Sequence, residues 1–445
     1  MLTVKLTESK DFCAFPESLE AKIDAAWQKL LDGADKGAEG YGWMNLPNRE
    51  ISGMKETAAL MARHDYIILI GIGGSALGTQ MLMQTLLDPL YPGVREKGRP
   101  ALFIADNADA ESNEALWKQV DPRRTALFVV SKSGRTLETL SNFIFFRGKL
   151  IEALGDAAEE HIFAVTDGAK GFLCKYARQK GTKFLEFPGD TGGRYSVLSS
   201  CGLAAALALG MDAGALLRGA SDMKKKLLEG PRRANAASRM AAGTVLGYRA
   251  GRNVTVFMTY GDRLKSVGEW FAQLWGESLG KDGLGMTPQA ALGSVDQHSQ
   301  LQLYTEGPKD KFFFFLSAKA EPKTLISIPK EPLFDEARYL DQISQEFILD
   351  CERRGVVASL KRRDNPLCEI ELSRVDEYCL GGLIFLLEAV TALAGFLMDL
   401  NPFDQPGVEE GKNYALALCG HPDYQKYGEV LRKIESESVS TNFEV

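Results

Sequence analysis

Residues 66–78 read YIILIGIGGSALG. Five residues, apolar after the leading tyrosine, run into a glycine-rich turn, and a stretch with helical spacing, Ser75 to Leu87, follows at once. An apolar run of that length predicts a strand buried on both faces, as in a parallel sheet covered by helices. The pattern repeats outward from it. Ala101 to Ile104, Ala126 to Val130, Ile162 to Val165 and Lys183 to Phe187 predict further strands, with crossover helices such as Leu137 to Leu154 between them. A second set opens near Asn253, with Val254 to Met258 and Phe312 to Leu316 as buried strands. Met211 to Arg252, rich in Ala, Lys and Arg, predicts helices joining two lobes. The expected fold is α/β: two doubly wound, flavodoxin-like parallel-sheet lobes covered by helices, with further helices at the C-terminus. The expected division is 50–205 for the first lobe and 206–445 for the second, with 1–49 packing on the second.

Bulk properties exclude several classes. A chain of 445 residues exceeds one ordinary core, and 45% apolar residues suffice to fill two. The formal net charge of −7 gives a field that repels nucleic acid and anionic membranes, so neither is an expected partner. An anionic ligand must then be held by a local site. Cys13, Cys174, Cys201, Cys351, Cys368, Cys379 and Cys419 are scattered, without metal or redox spacing, and read as reduced core residues. Met1 to Phe15 carries Lys5, Glu8, Lys10 and Asp11 and has no signal-peptide pattern, so a cytoplasmic location is expected. Leu380 to Met398 (LGGLIFLLEAVTALAGFLM) is apolar nearly all round, but Glu388 and its many small residues favour a buried or interface helix over a membrane span.

Two loops carry chemistry. GIGGSALG at 71–78 joins a predicted strand to a predicted helix, a junction where backbone N–H groups and the helix N-terminus favour an anion. Taken alone it has three readings: a dinucleotide fingerprint through Gly71, Gly73 and Ala76 with Asp106 as ribose acid, a phosphosugar loop, or a tight turn. The loop after the strand ending at Val130 favours the phosphosugar. SKSGRT at 131–136 packs three hydroxyls, Lys132 and Arg135 around Gly134, a compact cage for a terminal phosphate. The bland alternative is a Ser-rich turn capping the next helix.

The run from the first strand through SKSGRT resembles the sugar-isomerase (SIS) domain, and later segments resemble the phosphoglucose isomerase family in its short bacterial form. GDTGGRYS at 189–196 and FDQPGVEEGK at 403–412 are similar to the family's two signatures. Between them QLWGESLGK at 273–281 and DQHSQLQLYTEGP at 296–308 resemble its segments carrying the catalytic acid and histidine. These motifs follow in order from residue 71 to residue 412. One position departs from the pattern: Arg135 stands where threonine is usual, and either adds a phosphate contact or points outward.

The resemblance implies a reaction: cofactor-free aldose–ketose isomerisation of glucose 6-phosphate to fructose 6-phosphate by ring opening and a cis-enediol. It implies Glu277 as the base, and helical spacing places Gln273, four residues earlier, on the same face. Arg194 matches the cation for the enediolate, a task suited to a group that cannot lose its proton. Of the four histidines, His298 matches the ring-opening acid–base, with Lys412 assisting near the ring oxygen. Gly74, Ser75, Ser131, Lys132, Ser133, Thr136, Gln273 and Gln405 match substrate contacts. No metal or organic cofactor is expected, because one carboxylate passes the proton between adjacent carbons. A homodimer in which His298 reaches the neighbouring subunit's site is also implied. The alternative is a non-catalytic phosphosugar sensor, which keeps both loops but has no use for Glu277, His298 and Lys412 together.

Overall fold

The computed structural model describes residues 2–7, 17–93, 98–319, 327–328 and 335–437. Two compact units divide between Phe403 and Asp404, and both sheets lie in the first. The strands are β1 (Leu2–Thr7), β2 (Tyr66–Ile70), β3 (Ala101–Ala105), β4 (Thr125–Ser131), β5 (Ile162–Thr166), β6 (Lys183–Glu186), β7 (Val254–Tyr260), β8 (Thr287–Gly293), β9 (Lys311–Ala318) and β10 (Leu367–Leu372).

One sheet has the order β3-β2-β4-β5-β6, parallel throughout. Its central strands are buried along nearly their whole length, which is why they are apolar without alternation. The other has the order β1-β10-β9-β7-β8; four strands are parallel, and β1 closes one edge antiparallel, Leu2 opposite Leu372. Leu2, Val4 and Leu6 are half-buried while Thr3 and Lys5 are exposed, the alternation of an edge strand with one face covered. The expected fold class holds, with this antiparallel strand as an addition to it. The crossover expected over Ser75 to Leu87 is a short 3-10 turn, Gly73–Ser75, followed by a helix, Leu77–Leu86.

The long apolar segment is the helix Glu377–Leu397, long and apolar enough to cross a membrane, and its apolar window is wholly buried in the fold. It packs against the helix Ala213–Leu228 so closely that a Cβ on Gly381 would stand 1.9 Å from the carbonyl oxygen of Leu216, and one on Gly219 equally near that of Tyr378. Glycines at these points let the two backbones meet.

Glu388 lies in this helix with 1% of its surface exposed, and its Oε1 has no hydrogen-bond partner among the described residues. Burial raises its pKa well above 4.5, so the folded chain keeps the proton that the unfolded chain releases above that value. Between the two values the folded state binds more protons, and stability falls as pH rises, by about 1.4 kcal/mol per pH unit while the window lasts. Glu388→Met is therefore expected to gain thermal stability over the parent, and to gain more at pH 8 than at pH 5 in paired melting curves. An equal gain at both values would contradict the buried neutral acid.

The cysteine expectation needs correction. Cys174, Cys201, Cys368 and Cys379 are buried thiols, but Cys351 and Cys419 are exposed, because each sits on the outward face or end of a surface helix; Cys13 lies outside the described residues. In the second unit the helices Glu409–Leu418 and Gln425–Glu437 pack on each other, with Tyr414 and Tyr427 edge to face.

Candidate active site

The sheet order places the site. β2 lies between β3 and β4, so the chain winds outward in both directions from it, and the carboxyl ends of β2 and β4 mark the switch point where doubly wound sheets place their sites. The loops leaving those two strands are residues 71–76 and 132–136.

The first loop is packed against protein. A Cβ on Gly74 would lie 2.3 Å from the carbonyl carbon and oxygen of Gly193, and one on Gly73, which has φ +56°, would lie 2.8 Å from Nε2 of Gln273. The turn that a dinucleotide fingerprint leaves open to a pyrophosphate is thus filled by Gln273 and by the backbone of Gly193 and Arg194. Ser75 closes the turn through its N–H, which donates to the carbonyl of Ile72 at 3.2 Å.

The second loop is a hydroxyl-lined turn. Ser131 is buried; its Oγ accepts from the Gly134 N–H at 3.1 Å and lies 3.4 Å from Oγ1 of Thr136. Ser133 Oγ accepts from the N–H of Arg135 at 3.2 Å. Thr136 occupies the N-cap of the helix Leu137–Leu154, yet its side chain caps no backbone N–H. The bland reading of the loop, a turn that caps a helix, therefore fails at the capping residue. The helix contributes its positive end to the same turn. Arg135 is exposed.

Lys132 joins this loop to GDTGGRYS. Its Nζ donates to the carbonyls of Gly189 at 3.0 Å and Thr191 at 2.9 Å, which occupies two of the three N–H donors of the ammonium. Between those carbonyls Asp190 pairs with Arg49 at 2.6 Å, and its own carbonyl accepts from the N–H groups of Gly40 and Gly42. The loop carrying Arg194 is held from both sides. Cys201, nearby, is buried, and that burial pushes its thiol up to about 12, against weaker opposing pulls from Ser199, Ser196 and Lys132.

Arg194 is 3% exposed. Its Nε donates to Ser278 Oγ at 2.8 Å, Nη2 to the Pro402 carbonyl at 2.8 Å, and Nη1 to Oε2 of Glu277 at 3.3 Å. Glu277 and Gln273 stand one turn apart on the helix Lys265–Leu279, and Gln273 Nε2 donates to the other carboxylate oxygen, Oε1, at 3.0 Å. The Glu277 side chain is 29% exposed, so the carboxylate is open to solvent while the arginine behind it is not. The Oε1 of Gln273 is buried and has no hydrogen-bond partner among the described residues.

The structure thus brings Gly74, Ser75, Gln273, Glu277 and Arg194 together beyond the end of β2, with Ser131, Lys132, Ser133 and Thr136 on the loop beyond the neighbouring strand β4. It does not bring His298 there within the chain. His298 is exposed on the first turn of the helix Gln297–Glu306, and its ring makes no hydrogen bond or ion pair among the described residues. Just before it, Asp296 has its carboxyl held below the usual range: burial opposes this, but the Leu292 N–H at 2.7 Å and Ser299 Oγ at 2.9 Å, with Gln300 and Lys265, outweigh it. Gln405 and Lys412 belong to the second compact unit, where Lys412 pairs with Glu409 at 3.3 Å. Sequence reading passed over Ser278, Tyr195 and the Pro402 carbonyl, although each adjoins or belongs to a segment it had singled out.

A doubly wound α/β protein with a carboxylate–guanidinium pair and a hydroxyl-lined turn at its switch point is the class defined by fold and site. The sequence profile of phosphoglucose isomerase matches residues 48–299. The glucose-6-phosphate isomerase of Rubrobacter xylanophilus is 39% identical over 92% of this chain and 94% of its own length, and that of Carboxydothermus hydrogenoformans 34% identical over 95% and 93%. A crystal structure of a hypothetical protein from Thermus thermophilus superposes with a TM-score of 0.81 at 32% identity, covering 92% of this chain and 98% of that one. That of a glucose-6-phosphate isomerase from Chlamydia trachomatis shares the fold, with a TM-score of 0.78 at 20% identity over 98% and 92%. The chain belongs to the phosphoglucose isomerase family.

Proposed function

We propose that this chain interconverts D-glucose 6-phosphate and D-fructose 6-phosphate, the isomerisation that serves glycolysis and gluconeogenesis. The observation that carries the reading is the Glu277–Arg194 pair, a half-open carboxylate fixed 3.3 Å from a buried guanidinium. Isomerisation requires a base at C2 and a fixed positive charge beside the C1 and C2 oxygens. Glu277 takes the C2 proton of the open-chain aldose, Arg194 offsets the charge of the enediolate, and the same carboxylic acid returns a proton to C1. Gln273 holds Oε1 of the base through its Nε2 and lies beside the substrate. Ser131, Lys132, Ser133 and Thr136 take the phosphate, with Gly74 and Ser75 at the sugar.

In this reading His298 and Lys412 open the ring, Gln405 contacts substrate, and the working form is a cytoplasmic homodimer in which His298 serves the partner's site. What supports the dimer is the exposure of His298 together with Val295 at 63% and Leu303 at 50%, apolar side chains that a second copy would cover. The same reading divides the chain into two sugar-isomerase domains, 50–205 and 206–445, with 1–49 on the second. Strand positions support this, since one sheet spans residues 66–186 and β1 pairs with β10 of the other.

Purified protein incubated with glucose 6-phosphate is expected to form fructose 6-phosphate, followed by NMR. Binding of the sugar phosphate without turnover would favour the sensor. Co-expressing Glu277→Gln and His298→Ala chains, each inactive alone, is expected to restore about a quarter of parental activity through mixed dimers with one intact site. No recovery in isolated mixed dimers would place His298 in its own subunit's site or outside catalysis.

A further inference from the structure

Behind the Glu277–Arg194 pair lies a buried layer that the proton transfer itself does not use. Ser278 is fully buried; its Oγ accepts from Arg194 Nε at 2.8 Å and stands 3.2 Å from the hydroxyl of Tyr195. Tyr195 is fully buried as well. Its ring stacks on Trp43 with centroids 5.6 Å apart and meets Phe403 edge-on at 5.4 Å. Burial holds its phenol protonated far above the ordinary range.

The four residues are two adjacent pairs in the chain, Arg194–Tyr195 and Glu277–Ser278. Arg194 bonds to both members of the second pair, and Ser278 bonds to both members of the first. The base and the anchor of the cation are therefore set by one peptide unit, at the end of one helix. Resting on the isomerase reading, we propose that Ser278, itself held by Tyr195, is a positioning residue that fixes the rotation of the Arg194 guanidinium relative to Glu277.

The physical need is specific. A guanidinium turns about Cδ–Nε; Nη2 rests on the Pro402 carbonyl and Nη1 on the Glu277 carboxylate, whose own side chain can turn. The bond from Nε to the buried Ser278 Oγ fixes the plane from the side away from the carboxylate. A cation that must meet charge only as the enediolate forms is effective when it does not reorganise at that moment. A misplacement of about 1 Å is enough to cost catalysis about 100-fold. Ser278→Ala takes this buried acceptor away from Nε–H and with it the contact that ties the guanidinium to the peptide unit carrying the base.

The test uses the full-length parent, Ser278→Ala, Tyr195→Phe and the double variant. Turnover is followed alongside the affinities of two phosphorylated ligands: a hydroxamate of a five-carbon aldonic acid 5-phosphate, planar and anionic like the enediolate, and a hexitol 6-phosphate, uncharged at C1 and C2. Ser278→Ala is expected to lower kcat about 10- to 100-fold with little change in KM. Hydroxamate affinity should fall with kcat/KM while hexitol phosphate affinity holds. Tyr195→Phe, which keeps the ring packing, should show a smaller loss of the same pattern, and the double variant should be no worse than Ser278→Ala. Unchanged turnover in Ser278→Ala, or equal weakening of both ligands, would overturn the positioning role; if Ser278→Ala fails to fold, the ligand pattern of Tyr195→Phe decides. A parent that binds the hexitol phosphate but does not isomerise would overturn the isomerase reading itself.

Discussion

Glu277→Gln is expected to lower isomerisation about 1,000-fold while the protein still binds sugar phosphate. Glutamine has the shape of glutamate, so its amide oxygen can still accept from Gln273 Nε2, now 3.0 Å from Oε1. What is lost is the proton acceptor, since an amide is no base near neutral pH. The side-chain hydrogen bonds of the phosphate loop run to its own residues and to Gly189 and Thr191, and stay in place. The measurement is twofold: fructose 6-phosphate formation, and uptake of deuterium from D2O at C2, which reports proton removal even when no net product forms. Both are expected to fall together. Exchange that survives while isomerisation fails would move the base to another residue and leave Glu277 a later role, and full activity would sink the assignment.

Arg194→Lys is expected to lower kcat about 100- to 1,000-fold, the scale seen when one fixed donor to a developing oxyanion is removed. Both side chains are cations, so a simple charge argument predicts little change. Geometry predicts otherwise. Arginine reaches Ser278, Pro402 and Glu277 through three nitrogens of one plane. A lysine ammonium is a single point at the end of a flexible stem and cannot occupy those three places together. Buried at the arginine's position, it is also far more costly to keep charged than a guanidinium. Steady-state kinetics would show kcat falling with KM changed by a few-fold at most. Parental kcat would mean that net charge suffices and that the three-point anchorage is irrelevant to turnover.

How much of this was legible in advance depends on what each residue's signal is made of. The central strands of both sheets are long apolar runs, and YIILI, ALFVV and FFFFL predict buried parallel strands wherever they fall. β8 reads TPQAALG and gives no such signal, because an edge strand carrying proline, glutamine and glycine is set by its neighbour β7 rather than by its own composition. β1, LTVKLT, did carry the alternation of a half-covered strand, and β10, LCEIEL, alternates too; neither stood out from a short window, and only pairing makes them an edge.

The site divides in the same way. Sequence by itself determined the strand–turn junctions, the hydroxyl-rich turn, and the helical spacing that sets Gln273 against Glu277, because those are local properties of adjacent residues. The tertiary structure alone decided the rest. It puts Arg194 against Glu277 across 83 residues of chain and ties Lys132 to the carbonyls of Gly189 and Thr191. It also leaves His298 exposed, its ring with no hydrogen bond among the described residues. The physical reason is that hydrogen-bond partners distant in sequence are fixed by how helices and loops pack, and a pattern of residue types along the chain does not encode which buried donor will meet which acceptor.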